Sequence, residues 1–347
     1  GAAAARQAVA RGLAGLVIGS LQGRRLELGV AGVHRIGGGA GLVGEELFCI
    51  GSNAKSMTAM AAARLVESGL LRWDSRLLDV EPALRGSCLP VYAGTTLADL
   101  LAHRSGVWAL TRPEELALLL DRFDGPLPDA RPAQRLGVAA LVLAQPPQEG
   151  VEPGRGFHYS NAGYHLAGLM LESATGQTFE QLFDRHVVAA LGVAAQLRAP
   201  AQIDAQRQPW GHAGQPGALQ PLSGQEDPAL ALWVDVTAAA GVAALSPRAY
   251  ALWLQHHLRA LRGEASALPP PYAQRLRAAA VGDYVLGWSC VRDEEGRRVL
   301  AHAGAEHGFT ALVQLQADGR GARFAMSNTQ IEEWVIDAMA EALQRLG

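Results

Sequence analysis

Lysine is almost absent from this chain: of its 30 Lys and Arg residues 29 are arginines, and the single lysine is Lys55. A composition rich in Ala, Gly and Arg accounts for the scarcity but not for the place where the exception survives. Arginine stays protonated at any working pH, whereas a desolvated ε-amine can lose its proton and act as a base. Cysteine is scarce as well. Cys49, Cys88 and Cys290 are odd in number, far apart and without a His or Cys neighbour at metal-ligand spacing, so neither a disulfide framework nor a metal site is implied. Long apolar runs are missing, since stretches such as 136–144 and 236–245 fall well short of the roughly 20 residues that cross a bilayer. Nor is there an excess of either charge. The formal net charge is −3 and the arginines are scattered, which disfavours nucleic acid as a partner.

What is present is a large apolar fraction, 49% of 347 residues, enough for an ordered protein of one or two domains. The chain opens Gly-Ala-Ala-Ala-Ala without a Met, which reads as a processed or engineered start. Residues 2–12 suggest a short helix, followed by strands 16–22 and 25–33 joined in a hairpin through Gly23. A Gly-rich stretch, 37–44, leads to a short strand at 47–50. The segment 52–68, closed by Gly69, reads as a helix with Ser52 at its N-terminus. From Asp74 to about Pro271 the pattern is mostly helical, with breaks at 125–132, 146–156 and 209–228. Ser246-Pro247 is a helix start before 248–261. After Asp283 the pattern changes to strands at 284–292, 297–303, 310–315 and 323–327, then a closing amphipathic helix at 331–346. The expected fold is therefore α+β: an antiparallel sheet flanked by N- and C-terminal helices, with an inserted, mostly helical lobe. Residues 1–75 and 276–347 form the expected sheet domain, 76–275 the helical domain, and the active site lies between them.

The chemistry concentrates in three short elements. In Gly51-Ser52-Asn53-Ala54-Lys55, positions three apart share a helix face, which sets the amine beside the hydroxyl. The helix N-terminus adds partial positive charge near Ser52, and a serine hydroxyl needs such help because it is barely ionised at neutral pH. The second element is Phe157-His158-Tyr159-Ser160-Asn161, and the third is His302-Ala303-Gly304-Ala305-Glu306-His307-Gly308.

In this order the three elements resemble the serine β-lactamase and penicillin-binding superfamily, in particular its class C β-lactamase, D,D-carboxypeptidase and family VIII esterase branch, among whose signatures is S-x-x-K. Trp73-Asp74, Leu100 to Gly106 and Tyr284 to Trp288 extend the similarity, which spans roughly residues 14–328 and is weakest over 195–235. The resemblance implies that Ser52 is acylated, that Lys55 and Tyr159 take or relay its proton, and that Asn161 orients substrate and Lys55. It implies an oxyanion hole of the Ser52 and Ala305 N–H groups beside Gly304, and no cofactor. His302 stands where β-lactamases of this branch carry lysine, which weakens the expected hold on a β-lactam carboxylate because histidine is largely neutral at pH 7. The expectation is a serine hydrolase of a small ester, amide or peptide, esterase-like or D-amino-acid peptidase-like. The alternatives are a β-lactamase or D,D-carboxypeptidase and, in another class, a catalytically silent binding protein. The resemblance favours a periplasmic or secreted address by analogy and says nothing of oligomeric state.

Each residue also has a structural explanation. Ser52 could be an N-cap, Tyr159 a core aromatic with Tyr164 as a rival nearby, and His302 a strand-end histidine. His103 and Ser105 read as a pair that holds a loop. Gly39-Ala40-Gly41-Leu42-Val43-Gly44 fits G-x-G-x-x-G formally, but a strand rather than a helix follows, so a dinucleotide site is not expected. No serine sits in a G-x-S-x-G elbow.

Overall fold

Gly23, at φ +59°, turns β1 (Gly15–Gln22) back onto β2 (Arg25–Gly32), with Gln22 opposite Arg25 across a two-residue loop. Such tight hairpin loops favour positive φ because their twist then matches that of the strands. The structure is a computed structural model that describes residues 1–121, 130–223 and 228–346. Most of the expected break at 125–132 and part of that at 209–228 lie outside the described residues.

The remaining strands, in chain order, are β3 (Phe48–Cys49), β4 (Ala195–Gln196), β5 (His212–Ala213), β6 (Gln220–Pro221), β7 (Ala244–Leu245), β8 (Tyr284–Val285), β9 (Trp288–Arg292), β10 (Arg298–Glu306), β11 (Phe309–Gln316) and β12 (Gly321–Ser327). Among the described residues a seven-stranded antiparallel sheet runs in the order β2-β1-β12-β11-β10-β9-β8. The N-terminal hairpin thus joins the C-terminal meander, Leu16 facing Ser327 and Gln22 facing Gly321. β1 is buried along nearly its whole length, which explains its continuous apolar run. Its alternate side chains serve two cores. Leu16 and Ile18 pack with the helices Ala2–Ala10 and Glu333–Gln344 through Ala5, Ala8, Val335 and Met339, whereas Val17 and Leu21 face the main core. Burying Leu16 and Ile18, both 0% exposed, stabilises the fold by about 1.5–3 kcal/mol each. On the inner face, Tyr250 of the helix Pro247–Leu261 meets Phe324 edge to face at 5.5 Å. That helix starts as expected, with Ser246 Oγ accepting from Ala249 N.

The middle of the chain is mostly helical, as its pattern suggests, but β4 and β7 interrupt it and pair with β3 in a small sheet. Their sequence signal is too short for a periodicity to register. Two further boundaries differ from expectation. The stretch 284–292 is not one strand: Leu286 and Gly287 take φ +49° and +85° and fold it into the hairpin β8–β9. Packing leaves room only for glycine at this turn, since a Cβ on Gly287 would lie 2.2 Å from Ser56 N. Secondly, β10 continues three residues past Ala303, to Glu306, paired throughout with β11. The helix read from Ser52 begins as a 3-10 turn, Gly51–Ala54, and becomes α-helical at Lys55–Glu67. Gly69 closes it at φ +77°.

Candidate active site

Ser52 is held by backbone on two sides. Ile50 N donates to Ala243 O at 2.9 Å, which ties the strand before Ser52 to the small sheet. On the other side, Gly51 (φ +49°) and Gly304 let the turn and β10 touch: a Cβ on Gly51 would stand 2.2 Å from Ala305 N, and one on Gly304 would stand 2.1 Å from Ile50 O and 2.7 Å from Ser52 N. No side chain fits at either glycine without moving the backbone.

Lys55, 0% exposed, reaches back from the first helical turn. Its Nζ lies 3.0 Å from Ser52 Oγ, 2.7 Å from Asn161 Oδ1 and 2.7 Å from Ala240 O. All three partners are neutral, and among the described residues no carboxylate lies within ion-pair distance of it. Burial pushes the amine's pKa well below the usual lysine value, and the charge of Glu306 pulls it partly back.

Tyr159 stands beside Ser52 on the wall of the same cavity. Burial raises its pKa, and the Ser52 hydroxyl opposes the rise. His103, in the left-handed region at φ +56°, pins the chain on both sides of Tyr159: its carbonyl accepts from His158 N at 2.7 Å and its Nδ1 from Ser160 N at 3.1 Å. Its ring packs on that of Tyr159 at 4.2 Å between centroids. This is the loop-holding role expected of His103. Ser160 Oγ then accepts from Gly163 N at 2.9 Å and caps the helix Asn161–Thr175, whose first residue is the Asn161 that faces Lys55. The rival, Tyr164, is fully buried and donates its hydroxyl to Leu101 O at 2.9 Å.

Along β10 side chains alternate, so His302, Gly304 and Glu306 share one face. β9 pairs with β10 only from Arg298 to Ala301, and the edge from His302 onward is open on that side. His302 Nδ1–H donates to Ala303 O at 2.6 Å, and its Nε2 accepts from Tyr284 O–H at 3.0 Å. The ring is therefore neutral, its pKa pushed down to about 3 by burial first and the charge of Lys55 second, against the pull of the Ala303 carbonyl.

Ser52, Tyr159, Asn161, His302, Ala305 and Glu306 line one cavity of about 420 Å³, with Phe157, Trp233 and Tyr284 on its walls. Gly304 lies behind it, against the Ser52 turn. Three wall residues were not singled out from the sequence. Glu306 is visible to strand alternation counted from His302, Tyr284 stands in a phrase noted only as support, and Trp233 falls in the weakly matching region with no signal of its own. Among the described residues no three His, Cys, Asp or Glu side chains gather to hold a metal, and no helix is long and apolar enough to cross a membrane.

Penicillin-binding protein 4 of Amycolatopsis lactamdurans is 29% identical over 191 residues, which cover 55% of this chain and 46% of that protein, so the match spans about half of the relative's length. A D-stereospecific amidohydrolase from Streptomyces sp. has the same fold, with a TM-score of 0.72 at 23% identity and 98% of each chain covered. So has a class C beta lactamase from Rhodobacter sphaeroides, with a TM-score of 0.74 at 18% identity over 99% of this chain and 98% of that one. The family model described as Beta-lactamase matches residues 2–346, and with that match over nearly every residue the chain belongs to the β-lactamase family, within the serine hydrolase superfamily.

Proposed function

We propose that the protein hydrolyses a small ester or amide through an acyl-enzyme on Ser52, in the manner of an esterase or a D-amino-acid peptidase. The observation that carries this reading is the 3.0 Å contact between Ser52 Oγ and a buried Lys55 amine that has no anionic partner in contact among the described residues. Burial lowers the pKa of such a lysine, which eases loss of its proton and lets the free amine accept the serine proton.

In this reading Ser52 Oγ attacks the substrate carbonyl while its proton passes to Lys55 Nζ, with the Tyr159 hydroxyl as relay. Negative charge then develops on the carbonyl oxygen, where the N–H groups of Ser52 and Ala305 receive it. The approach of the two backbones through Gly51 and Gly304 supports that placement, and such donors typically lower a barrier by about 3–4 kcal/mol. The tetrahedral intermediate collapses as the leaving group departs with the proton relayed from Lys55. Water enters, gives its proton to the same pair, attacks the ester carbon, and frees the acid with Ser52 restored. Asn161 holds the amine in place throughout. The reacting carbonyl would sit between a sheet domain of residues 1–75 and 276–347 and a helical domain of 76–275, with the open edge of β10 on one side and Tyr159 and Asn161 on the other.

The neutral His302 favours a substrate without a carboxylate at that end of the cleft, and so an esterase or peptidase over a β-lactamase. The test is hydrolysis of a short-chain p-nitrophenyl ester by the protein and by Ser52→Ala. Turnover is expected to vanish in the folded variant, with the acyl group trapped on Ser52 visible by mass spectrometry in the parent. Turnover that survives Ser52→Ala refutes the mechanism.

A further inference from the structure

The cavity beside Ser52 is electrostatically one-sided. Among its described lining residues there is no Arg or Lys, His302 is a neutral ring, and the one ionisable acid is Glu306. Lys55 does not serve Glu306 as a contact partner. Its Nζ is within hydrogen-bond distance of Ser52, Asn161 and Ala240 instead, and among the described residues no ion pair within 4 Å includes Glu306. Glu306 accepts from its neighbour His307 N–H at 3.3 Å, with Trp233 beside it on the cavity wall. A carboxylate offers about four acceptor positions, so this donor leaves capacity for a ligand. Desolvation raises the Glu306 pKa against the charges of His307 and Lys55, neither of which pairs with it at contact distance, and a cation brought into contact by a ligand offsets that desolvation.

The position is equally specific. Glu306 follows Ala305 directly, whose N–H is assigned to the oxyanion, and consecutive Cα atoms lie about 3.8 Å apart. Its carboxylate lines the same cavity as Ser52 and Ala305 and can meet a group close to the scissile carbonyl. We propose that Glu306, beside Trp233, is the subsite for a primary ammonium, so that the substrate is an α-aminoacyl amide or ester with a free amine rather than an anionic or N-acylated one. This rests on the hydrolase reading given above and adds its substrate class.

The test separates the two claims. Binding of D- and L-alanine p-nitroanilide, and of the p-nitroanilide of propionic acid, which lacks only the amine, is measured by calorimetry on folded Ser52→Ala, where turnover plays no part. The free amine of at least one enantiomer is expected to bind about tenfold more tightly or better, and Glu306→Gln in the same background is expected to bring that ratio close to one. Equal binding, tighter binding of the amine-free compound, or a preference that survives Glu306→Gln overturns the proposal. The comparison of ligands on Ser52→Ala decides the matter even if the second substitution fails to fold. Wild-type kinetics on the same compounds report separately on the hydrolase: absent turnover with the amine preference intact would sink the chemistry and leave the subsite standing.

Discussion

Two buried cations, about equally removed from water, have opposite surroundings. Arg135, 4% exposed on the helix Arg131–Leu143, donates to Glu172 at 2.6 Å, Glu180 at 2.6 Å and Asp235 at 2.8 Å. Burial opposes its charge, but the three carboxylates outweigh that and raise its pKa further. Lys55, 0% exposed, has a hydroxyl, an amide oxygen and a peptide carbonyl instead, and its pKa falls. A cation among carboxylates remains a cation and ties helices together. A cation among neutral acceptors can lose its proton, and it is this that makes a base. Residue type fits each task, since arginine does not deprotonate at any pH where the protein functions and lysine can.

The sharpest way to break the comparison is to put a permanent cation into the Lys55 site. Lys55→Arg is expected to lower kcat/KM for a p-nitrophenyl ester by about 10²–10⁴, the usual contribution of a positioned base, with the circular dichroism spectrum retained. An active Lys55→Arg variant would remove proton transfer from the role of this residue. The converse change strips Glu172 of its cation and leaves Glu180 and Asp235 only the more distant Arg131, at 3.9 and 3.7 Å. Arg135→Met is expected to cost about 3–5 kcal/mol in denaturant unfolding, the range seen when one member of a buried ion pair is removed, while kcat of the folded fraction is unchanged.

Two smaller effects refine the contrast through pH. In the proposed mechanism the active form of Lys55 is the free amine, so kcat/KM is expected to rise with pH and level off at a pH well below the ordinary lysine value of about 10.4. A limb that still climbs near pH 10 would show an unshifted lysine. Glu306 raises the Lys55 pKa through its charge, so Glu306→Gln is expected to move that limb toward lower pH. Movement toward higher pH would contradict the electrostatic link. His302, near 3, contributes no limb around pH 6.5.

Much of this site could be read from the sequence because its chemistry is local. Ser52 and Lys55 are three residues apart, Tyr159 and Asn161 two apart, and His302, Gly304 and Ala305 lie on one strand. Other parts could not be read because they arise only between distant segments. The hairpin turn at Leu286-Gly287 packs against the Ser56 backbone some 230 residues earlier in the chain, where no Cβ fits, and no alternation of residues 284–292 predicts it. β4 and β7 are two residues each and exist only through pairing across the chain, β7 with β3 and β4 with β7. Trp233 enters the cavity wall from a segment whose sequence has no distinguishing pattern.

By itself the sequence determined the residue types that can do the chemistry, the alternation of sheet and helix, and the reservation of one lysine. Those follow from side-chain pKa, from spacing on a helix or strand, and from apolar periodicity, all properties of short stretches. Only the tertiary structure decided that the lysine is desolvated with no carboxylate in contact among the described residues, that His302 is a neutral acceptor of the Tyr284 hydroxyl, and that Glu306 faces the same cavity with no Arg or Lys among its described lining residues. Protonation and charge balance depend on what surrounds a group in three dimensions. Here those surroundings come from the Ser52 turn, the 157–161 segment, the helix ending at Gly241 and β10, which lie far apart in the chain and meet only when it folds.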